Sequence, residues 1–423
     1  MTRPRAAIVV TGSEIVRGQR TDRNGPFLAR ELLELGLEPE RITVVGDREQ
    51  ELEAVLRDAL EADLCVVSGG LGPTHDDRTV ELIARVAERP LTVDPEIERE
   101  IERVSRGYAD RMRRPYADFE VGVRKQASLP DGAVSVGLAG TAPGVLLERD
   151  GRVALALPGP PPELKRLWRN ALETEPMQRV LARARPPNRR VLRFFGVSES
   201  AVARALAEVG GDGDGVEATI CVHEFELQVD LLVQPGAEAR GAELEEALVT
   251  SLERQLFARD DRAVEELVLG LCRARGLSLA AAESCTGGLV SARLTSVPGA
   301  SDAFVGSMVV YSDNMKAGQL CVPEETLRTH GAVSAETAAA MARGARERLG
   351  ADVAVSVTGV AGPGGGTPTK PVGRVHIHVE GPDGELAREL DIPGGRESVR
   401  RRATTTALHL LRRLLSQSGD ASV

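Results

Sequence analysis

Short apolar runs that alternate with amphipathic helical segments constrain this chain more than any motif in it. Ala6-Ala7-Ile8-Val9-Val10 is a continuous apolar run of strand length, followed by the turn Thr11-Gly12-Ser13-Glu14. Asn24 can cap a helix in which Leu28, Leu32 and Leu35 keep helical spacing and Gly36 supplies the stop. Ile42-Thr43-Val44-Val45 reads as the next strand, Asp47 as the cap of a helix to about Ala62, and Leu64-Cys65-Val66-Val67 as another buried strand. Strands that are apolar throughout, each followed by a helix, are the signature of a parallel sheet covered on both faces.

The alternation runs to about Arg169, through two Gly/Pro-rich turns at residues 140–144 and 158–163. It resumes near Asp261 with an amphipathic helix from Val264 to Arg275 and continues to about Leu415. Between Glu175 and Ala258 the texture differs. A strand is expected at Val191–Phe195, a helix at Glu199–Val209, a glycine-rich loop at Gly210–Gly215 and an alternating strand at Glu226–Val233. The sequence therefore predicts an α/β protein of three parts: a three-layer parallel-sheet domain over 1–172, a small α+β domain over 173–258 and a second α/β domain over 259–416. A disordered polar tail is expected over 417–423.

Composition excludes several classes. A formal charge of −10 and only 11 aromatic residues disfavour nucleic acid as a partner. Five cysteines, far apart and never in a Cys-x-x-Cys pair, argue against a disulfide framework or a zinc ribbon. The N-terminal apolar run is too short for a secretory signal and no run is long enough to span a membrane, so the expected location is cytoplasmic. One bias is informative: of 53 basic residues only Lys125, Lys165, Lys316 and Lys370 are lysine.

Two segments carry chemistry. After the strand ending at Val67, Ser68-Gly69-Gly70-Leu71-Gly72-Pro73-Thr74-His75-Asp76-Asp77 leads into a helix. Glycines at such a turn, ahead of a helix N-terminus, can cradle an anion. Carboxylates beside a phosphate repel it unless a divalent cation lies between them, so Asp76 and Asp77, with Asp47 on the same rim, suggest metal-assisted phosphate chemistry. The alternative is that Asp76 and Asp77 only cap the helix.

The second segment is Glu283-Ser284-Cys285-Thr286-Gly287-Gly288, between a strand-like run and a helix from Leu289 to Thr295. A hydroxyl at this turn, with the N–H groups of Gly287 and Gly288 behind it, is arranged as a nucleophile facing oxyanion donors. No histidine is near in sequence: His330 falls in a loop-like stretch, and His376 and His378 alternate on one strand face, where structural roles are expected. Cys285 is a rival nucleophile that lacks a histidine partner too. Lys316, after a strand at Met308–Tyr311, supplies a base, because a buried lysine can lose its proton and an arginine cannot. A further glycine loop, Thr358 to Thr367, is fit to hold a phosphate or a flat ring, and Arg396, Arg400, Arg401 and Arg402 are candidate phosphate partners.

In chain order, GGLGPTHDDRT (69–79), ESCTGG (283–288), YSDNMK (311–316), HGAVS (330–334) and TGVAGPGGGTPTKPVG (358–373) resemble the competence/damage-inducible protein CinA family over almost the whole chain. The resemblance implies an N-terminal domain similar to the molybdopterin-binding fold, a KH-like middle domain and a C-terminal nicotinamide-nucleotide amidohydrolase domain, in a homodimer. It implies hydrolysis of nicotinamide mononucleotide (NMN) to nicotinate mononucleotide and ammonia without a cofactor, and cleavage of ADP-ribose with a divalent metal. By position, Ser284 is the nucleophile, Lys316 its base and Tyr311 a neighbour of the dyad. Thr286, Gly287, Gly288, Thr358, Gly364, Gly365 and one or both of Arg400 and Arg401 line the pocket. Gly69, Gly70, Gly72 and Thr74 form the N-terminal phosphate rim, with Asp47, Asp76 and Asp77 as metal ligands. The alternatives are ADP-ribose cleavage alone, or a non-catalytic nucleotide- or pterin-binding protein. Two departures stand out: Asp313-Asn314-Met315 replaces the family's Asn-Glu-Ala, and Gly137-Leu138 replaces the Asn-Pro ahead of the 140–144 turn.

Overall fold

The computed structural model describes residues 3–416, the side chains of residues 118 and 121 excepted, so the predicted tail at 417–423 lies outside the described residues. Two compact units divide at Asn188 and Arg189.

In the first unit, strands β1 (Arg5–Thr11), β2 (Glu38–Val45), β3 (Leu64–Ser68), β4 (Val134–Ala139), β5 (Ala142–Arg149) and β6 (Arg152–Leu157) form one sheet in the order β2-β1-β3-β6-β5-β4. Successive residues of β1 serve opposite cores. Ala7 and Val9 pack with Leu52 and Leu56 of α2 (Glu49–Ala59) and with Leu82 of α3 (Thr79–Val86). Ala6, Ile8 and Val10 pack with Leu28 and Leu32 of α1 (Asn24–Glu34) and with Trp168 of α4 (Pro161–Leu172). A strand covered on both faces has no polar side to present, which accounts for its unbroken apolar sequence.

Four differences from the sequence reading have local causes. The sheet is parallel only through β2, β1, β3 and β6, because β4, β5 and β6 are joined by tight turns, which force antiparallel pairing. Residues 142–144 belong to β5, which leaves only Gly140 and Thr141 in the first of those turns. Neither Asn24 nor Asp47 caps its helix: Asp22 accepts the backbone N–H of Asn24 and Gly25, while Asp47 accepts the N–H of Ser13 at 2.9 Å. The unit also runs past residue 172, since Met177 and Val180 of the helix Glu175–Leu181 are part of the same core.

The second unit opens with a four-stranded sheet in the order β8-β9-β7-β10, from β7 (Asn188–Phe195), β8 (Val216–His223), β9 (Glu226–Val233) and β10 (Leu256–Ala258). Helices α5 (Glu199–Ala207) and α6 (Glu238–Ser251) cover one face through Val202, Leu206, Leu244 and Leu248. β8 escaped the sequence reading. Most of its residues are exposed or half-buried, so it has no clean apolar face.

The remaining residues build a five-stranded sheet, order β12-β11-β13-β14-β15, from β11 (Leu279–Glu283), β12 (Phe304–Val309), β13 (Val353–Gly359), β14 (Arg374–Gly381) and β15 (Gly384–Asp391). β12, β11 and β13 are parallel; β14 and β15 are antiparallel. Leu279 and Ala281 pack toward α7 (Val264–Arg275) and α11 (Arg396–Ser416), and Ala280 and Ala282 toward α10 (Ala335–Leu349). His330 ends a short helix, Glu324–His330, rather than lying in a loop. No helix among the described residues is long and apolar enough to cross a membrane.

Candidate functional site

Parallel strands bring their C-terminal ends to one rim, and in the second unit that rim assembles the serine site. Ser284 follows β11 directly, Lys316 lies in α9 (Asp313–Leu320) just after β12, and Thr358 is near the end of β13. Lys316 Nζ lies 3.3 Å from Ser284 Oγ. It also lies 3.2 Å from the carbonyl oxygen of Val310 and 3.5 Å from that of Tyr311. A neutral amine has two N–H bonds and one lone pair. The two carbonyls can take the N–H bonds, which leaves the lone pair for the serine proton. Lys316 is 1% exposed and Ser284 7%. Burial drives the Lys316 amine below its ordinary pKa, against the opposing pull of Asp313, and no carboxylate forms an ion pair with it among the described residues.

The rival thiol has the opposite setting. Cys285 is buried, and desolvation pushes it up to about 12, so its thiolate is scarce at neutral pH.

The oxyanion donors need a correction. Gly287 N–H bonds the Ser284 carbonyl at 3.1 Å, and Gly288 N–H bonds Glu283 Oε2 at 2.9 Å. Glu283 is buried and also accepts the N–H groups of Val290 and Ser291 and the Ser291 hydroxyl. It thereby satisfies the open N-terminus of α8 (Leu289–Thr295), where a carboxylate is favoured by the helix dipole. Both glycine N–H groups are thus engaged. The N–H groups of Cys285 and Thr286 make no hydrogen bond to another described residue and are the donors left beside Ser284.

The other residues expected here divide into those that touch the turn and those that brace it. Thr286 is buried and its hydroxyl has no hydrogen-bond partner. Arg400 donates to the carbonyl oxygens of Cys285 and Thr286, at 3.1 and 2.7 Å, and so fixes the peptide that carries the Thr286 N–H and the one that follows it. Thr358 donates to Ala332 at 2.7 Å, tying the 330–334 segment to β13. Tyr311 is 61% exposed, and its hydroxyl meets Arg396 at 2.7 Å instead of the dyad. Arg396 also holds the Gly362 carbonyl, at the base of the loop that exposes Gly364 and Gly365. Arg401 forms an ion pair with Glu224 of the β8–β9 hairpin. Arg293, Arg396, Arg400 and Arg401 line a cleft of about 530 Å³ that also includes Leu289 and Glu224.

In the first unit the corresponding rim encloses a cavity of about 470 Å³. Gly69, Gly70, Gly72, Asp47, Asp76 and Asp77 all line it, and Thr74 lies against both Asp76 and Asp77 through its hydroxyl. Gly70 has φ +68°, and a Cβ there would strike the Thr79 hydroxyl; at Gly72 a Cβ would strike the Asp77 carboxylate. Gly70 is therefore required by the loop's own conformation, whereas a side chain at Gly72 would displace the Asp77 carboxylate. Glu14 and Glu163, which the sequence reading passed over, add two more carboxylates to the wall, and burial raises the pKa of Glu163. Thr11 Oγ1, buried on the same wall, has no partner. The residues do not fit a three-carboxylate metal centre as they stand. Asp47, Asp76 and Asp77 are not among the ligand groups gathered within 4.8 Å of one another, and each already accepts a local hydrogen bond.

The sequence pattern of the CinA C-terminal domain matches residues 261–415, and that of the probable molybdopterin binding domain matches residues 7–177. A CinA-like protein of Mycobacterium avium is 43% identical over 98% of this chain and 99% of its own. The chain belongs to the CinA family. A CinA-like protein of Mycobacterium tuberculosis is likewise 43% identical, over 97% of each chain. Among solved structures, a competence/damage-inducible protein from Agrobacterium tumefaciens is 40% identical, covers 37% of this chain and 99% of its own, and has a TM-score of 0.35.

Within this CinA chain, the Gly137-Leu138 departure falls in a register irregularity between Ser135 and Leu138 of β4, with Gly137 at φ +104°. The scarce lysines also find partners. Lys125 donates to the Thr74 carbonyl in the N-terminal loop, and Lys370 to the His330 carbonyl. Lys165 lies over the Phe27 ring at 4.7 Å.

Proposed function

We propose that the C-terminal part of this CinA-family chain is a hydrolase that converts NMN to nicotinate mononucleotide and ammonia. The observation that supports it most is the buried contact between Lys316 Nζ and Ser284 Oγ, with both other amine bonds directed to carbonyl oxygens. In this reading Lys316, neutral in the resting site, takes the Ser284 proton as Oγ attacks the carboxamide carbon. The positive pyridinium ring draws electrons from that carbon and assists the attack. The oxyanion is received by the N–H groups of Cys285 and Thr286, the latter in a peptide whose carbonyl Arg400 holds. The Lys316 ammonium then returns its proton to the departing nitrogen, and ammonia leaves an acyl-Ser284 ester. Water, deprotonated by the same amine, releases the acid and restores Ser284. Every proton passes through one nitrogen and no cofactor enters.

A second reading, cleavage of ADP-ribose in the N-terminal cavity with a divalent metal, is favoured by the unpartnered Thr11 hydroxyl and the acidic wall. Because the carboxylates do not converge, no step is assigned to a metal there; the same cavity also suits binding of a nucleotide or pterin without turnover. One experiment separates these readings: purified chain offered NMN and ADP-ribose, with divalent metal or with chelator. Ammonia release that persists in chelator and disappears in Ser284→Ala supports the amidohydrolase. Ammonia release by Ser284→Ala at the wild-type rate refutes it.

A further inference from the structure

β14 has one face for the core and one for chemistry. Val375, Ile377 and Val379 enter the core beneath α11, whereas His376, His378 and Glu380, two residues apart, share the opposite face. Across the hairpin, Glu380 stands directly opposite Glu385 of β15. Like charges facing each other across a strand pair destabilise it unless something positive lies between them. His378 lies there. Its Nε2 is 3.4 Å from Glu385 Oε2 and 3.8 Å from Glu380 Oε2, and one ligand atom from each of the three lies within 4.8 Å of the others.

Two further observations mark this as more than an acidic cluster. His378 is 5% exposed, and its Nε2 makes no aligned hydrogen bond, so a buried nitrogen faces two carboxylates at ion-pair distance with its lone-pair direction unfilled by a donor. The second oxygen of Glu380 is held at 3.0 Å by Arg346 of α10, which leaves Oε2 turned to His378. A carboxylate fixed through one oxygen and free at the other is how ligand carboxylates are oriented from behind.

We propose that His378, Glu380 and Glu385 bind a first-row transition-metal dication of the zinc, cobalt and nickel class. Ligand atoms about 2.1 Å from a shared ion at a tetrahedral angle lie about 3.4 Å apart; the His378–Glu385 separation already suits such an ion, the His378–Glu380 separation exceeds it by a few tenths of an ångström, and all three ligand atoms lie within 4.8 Å of one another. The imidazole selects this class over magnesium and calcium, which prefer all-oxygen sites. Glu385 is exposed and gives the ion a path from solvent, with water completing the shell. The site is independent of the amidohydrolase reading, because none of its ligands meets Ser284 or Lys316.

The test uses the full chain stripped with chelator, then titrated with Zn²⁺ by calorimetry and with Co²⁺ by visible absorption. One equivalent should bind, with the absorption bands of a cobalt site that includes nitrogen. His378→Ala should weaken binding at least 100-fold and Glu385→Gln, at an exposed position that leaves the core intact, about 10-fold or more. A chain carrying Asp76→Asn and Asp77→Asn should keep the equivalent, which separates this site from the N-terminal acidic wall. Absence of binding at millimolar zinc, or wild-type binding by both His378→Ala and Glu385→Gln, overturns the proposal.

Discussion

Lys316→Met tests the chemistry of the serine site most directly, because methionine keeps an unbranched stem of similar length and removes only the amine. If Lys316 is the general base, its loss costs about 10²–10⁴-fold in turnover, which is about 2.7–5.4 kcal/mol of barrier. The Ser284–Lys316 contact makes the two residues one unit, so Ser284→Ala combined with Lys316→Met should lose no more than Ser284→Ala alone. Lys316→Arg should be as inactive as Lys316→Met, since a guanidinium keeps the charge but cannot release its proton. Stability provides an independent readout. Burial lowers the folded-state pKa of the amine, so the unfolded chain holds the extra proton and wild-type stability rises with pH from that lowered value to the unfolded value near about 10.4. The methionine variant lacks that slope. Two carbonyls, of Val310 and Tyr311, lose their donor in exchange, each costing about 1–3 kcal/mol where water cannot replace it. The assay is ammonia release from NMN, with kcat/KM followed against pH and denaturant unfolding alongside. Lys316→Met retaining more than about a tenth of wild-type kcat/KM would refute the assignment of the base, since general-base loss costs at least about 10²-fold.

Two further outcomes follow from the contacts around the site. Arg400→Met should lower kcat about 10-fold or more while leaving KM nearly unchanged, because its bonds go to the nucleophile turn and charge-assisted hydrogen bonds contribute about 1.5–3 kcal/mol; a rise in KM with kcat preserved would show instead that it holds the substrate phosphate. His376, His378 and His409 are all pushed below the ordinary histidine pKa, chiefly by burial, so the unfolded chain protonates first and stability should fall as pH drops from about 6.5 through the lowered folded values. Thermal melts in metal-free buffer read this directly, and a melting temperature that stays flat between about pH 6.5 and 5 would contradict the buried neutral state.

Much of this architecture could be read from hydrophobic pattern, and the reason is physical. A strand such as β1, which must bury both faces, leaves no freedom for polar residues, so its sequence declares its environment. Lys316 was legible for a compositional reason, standing as lysine in a chain that otherwise uses arginine. Some details that escaped depend on the geometry of a single turn, others on partners remote in sequence. No residue type near Glu283 says that it will collect four donors from the start of α8 and thereby divert the Gly288 N–H from Ser284. Arg400 looked like a phosphate ligand because its carbonyl partners lie more than a hundred residues away. The residues around β9 looked silent because their chemistry is borrowed: Glu226 is buried between Arg193 at 2.8 Å and His409 at 2.7 Å, and Phe195 stacks on that imidazole at 3.8 Å.

That last cluster makes α11 a ruler. On one side of the helix Arg401, Thr405 and His409, each four residues from the next, meet Glu224, the Glu224 carbonyl and Glu226. From the same helix Arg396 and Arg400 reach the glycine loop and the Ser284 turn. Each residue added to an α-helix advances it by about 1.5 Å and turns it by about 100°. A single insertion between Arg401 and His409 would therefore keep the helix but swing His409 away from Glu226, leaving a buried carboxylate with half its partners. The spacing along α11 is thus a length standard: the interval between the end that reaches the Ser284 turn and the end anchored on Glu226 is fixed in residue number by the contacts at both ends.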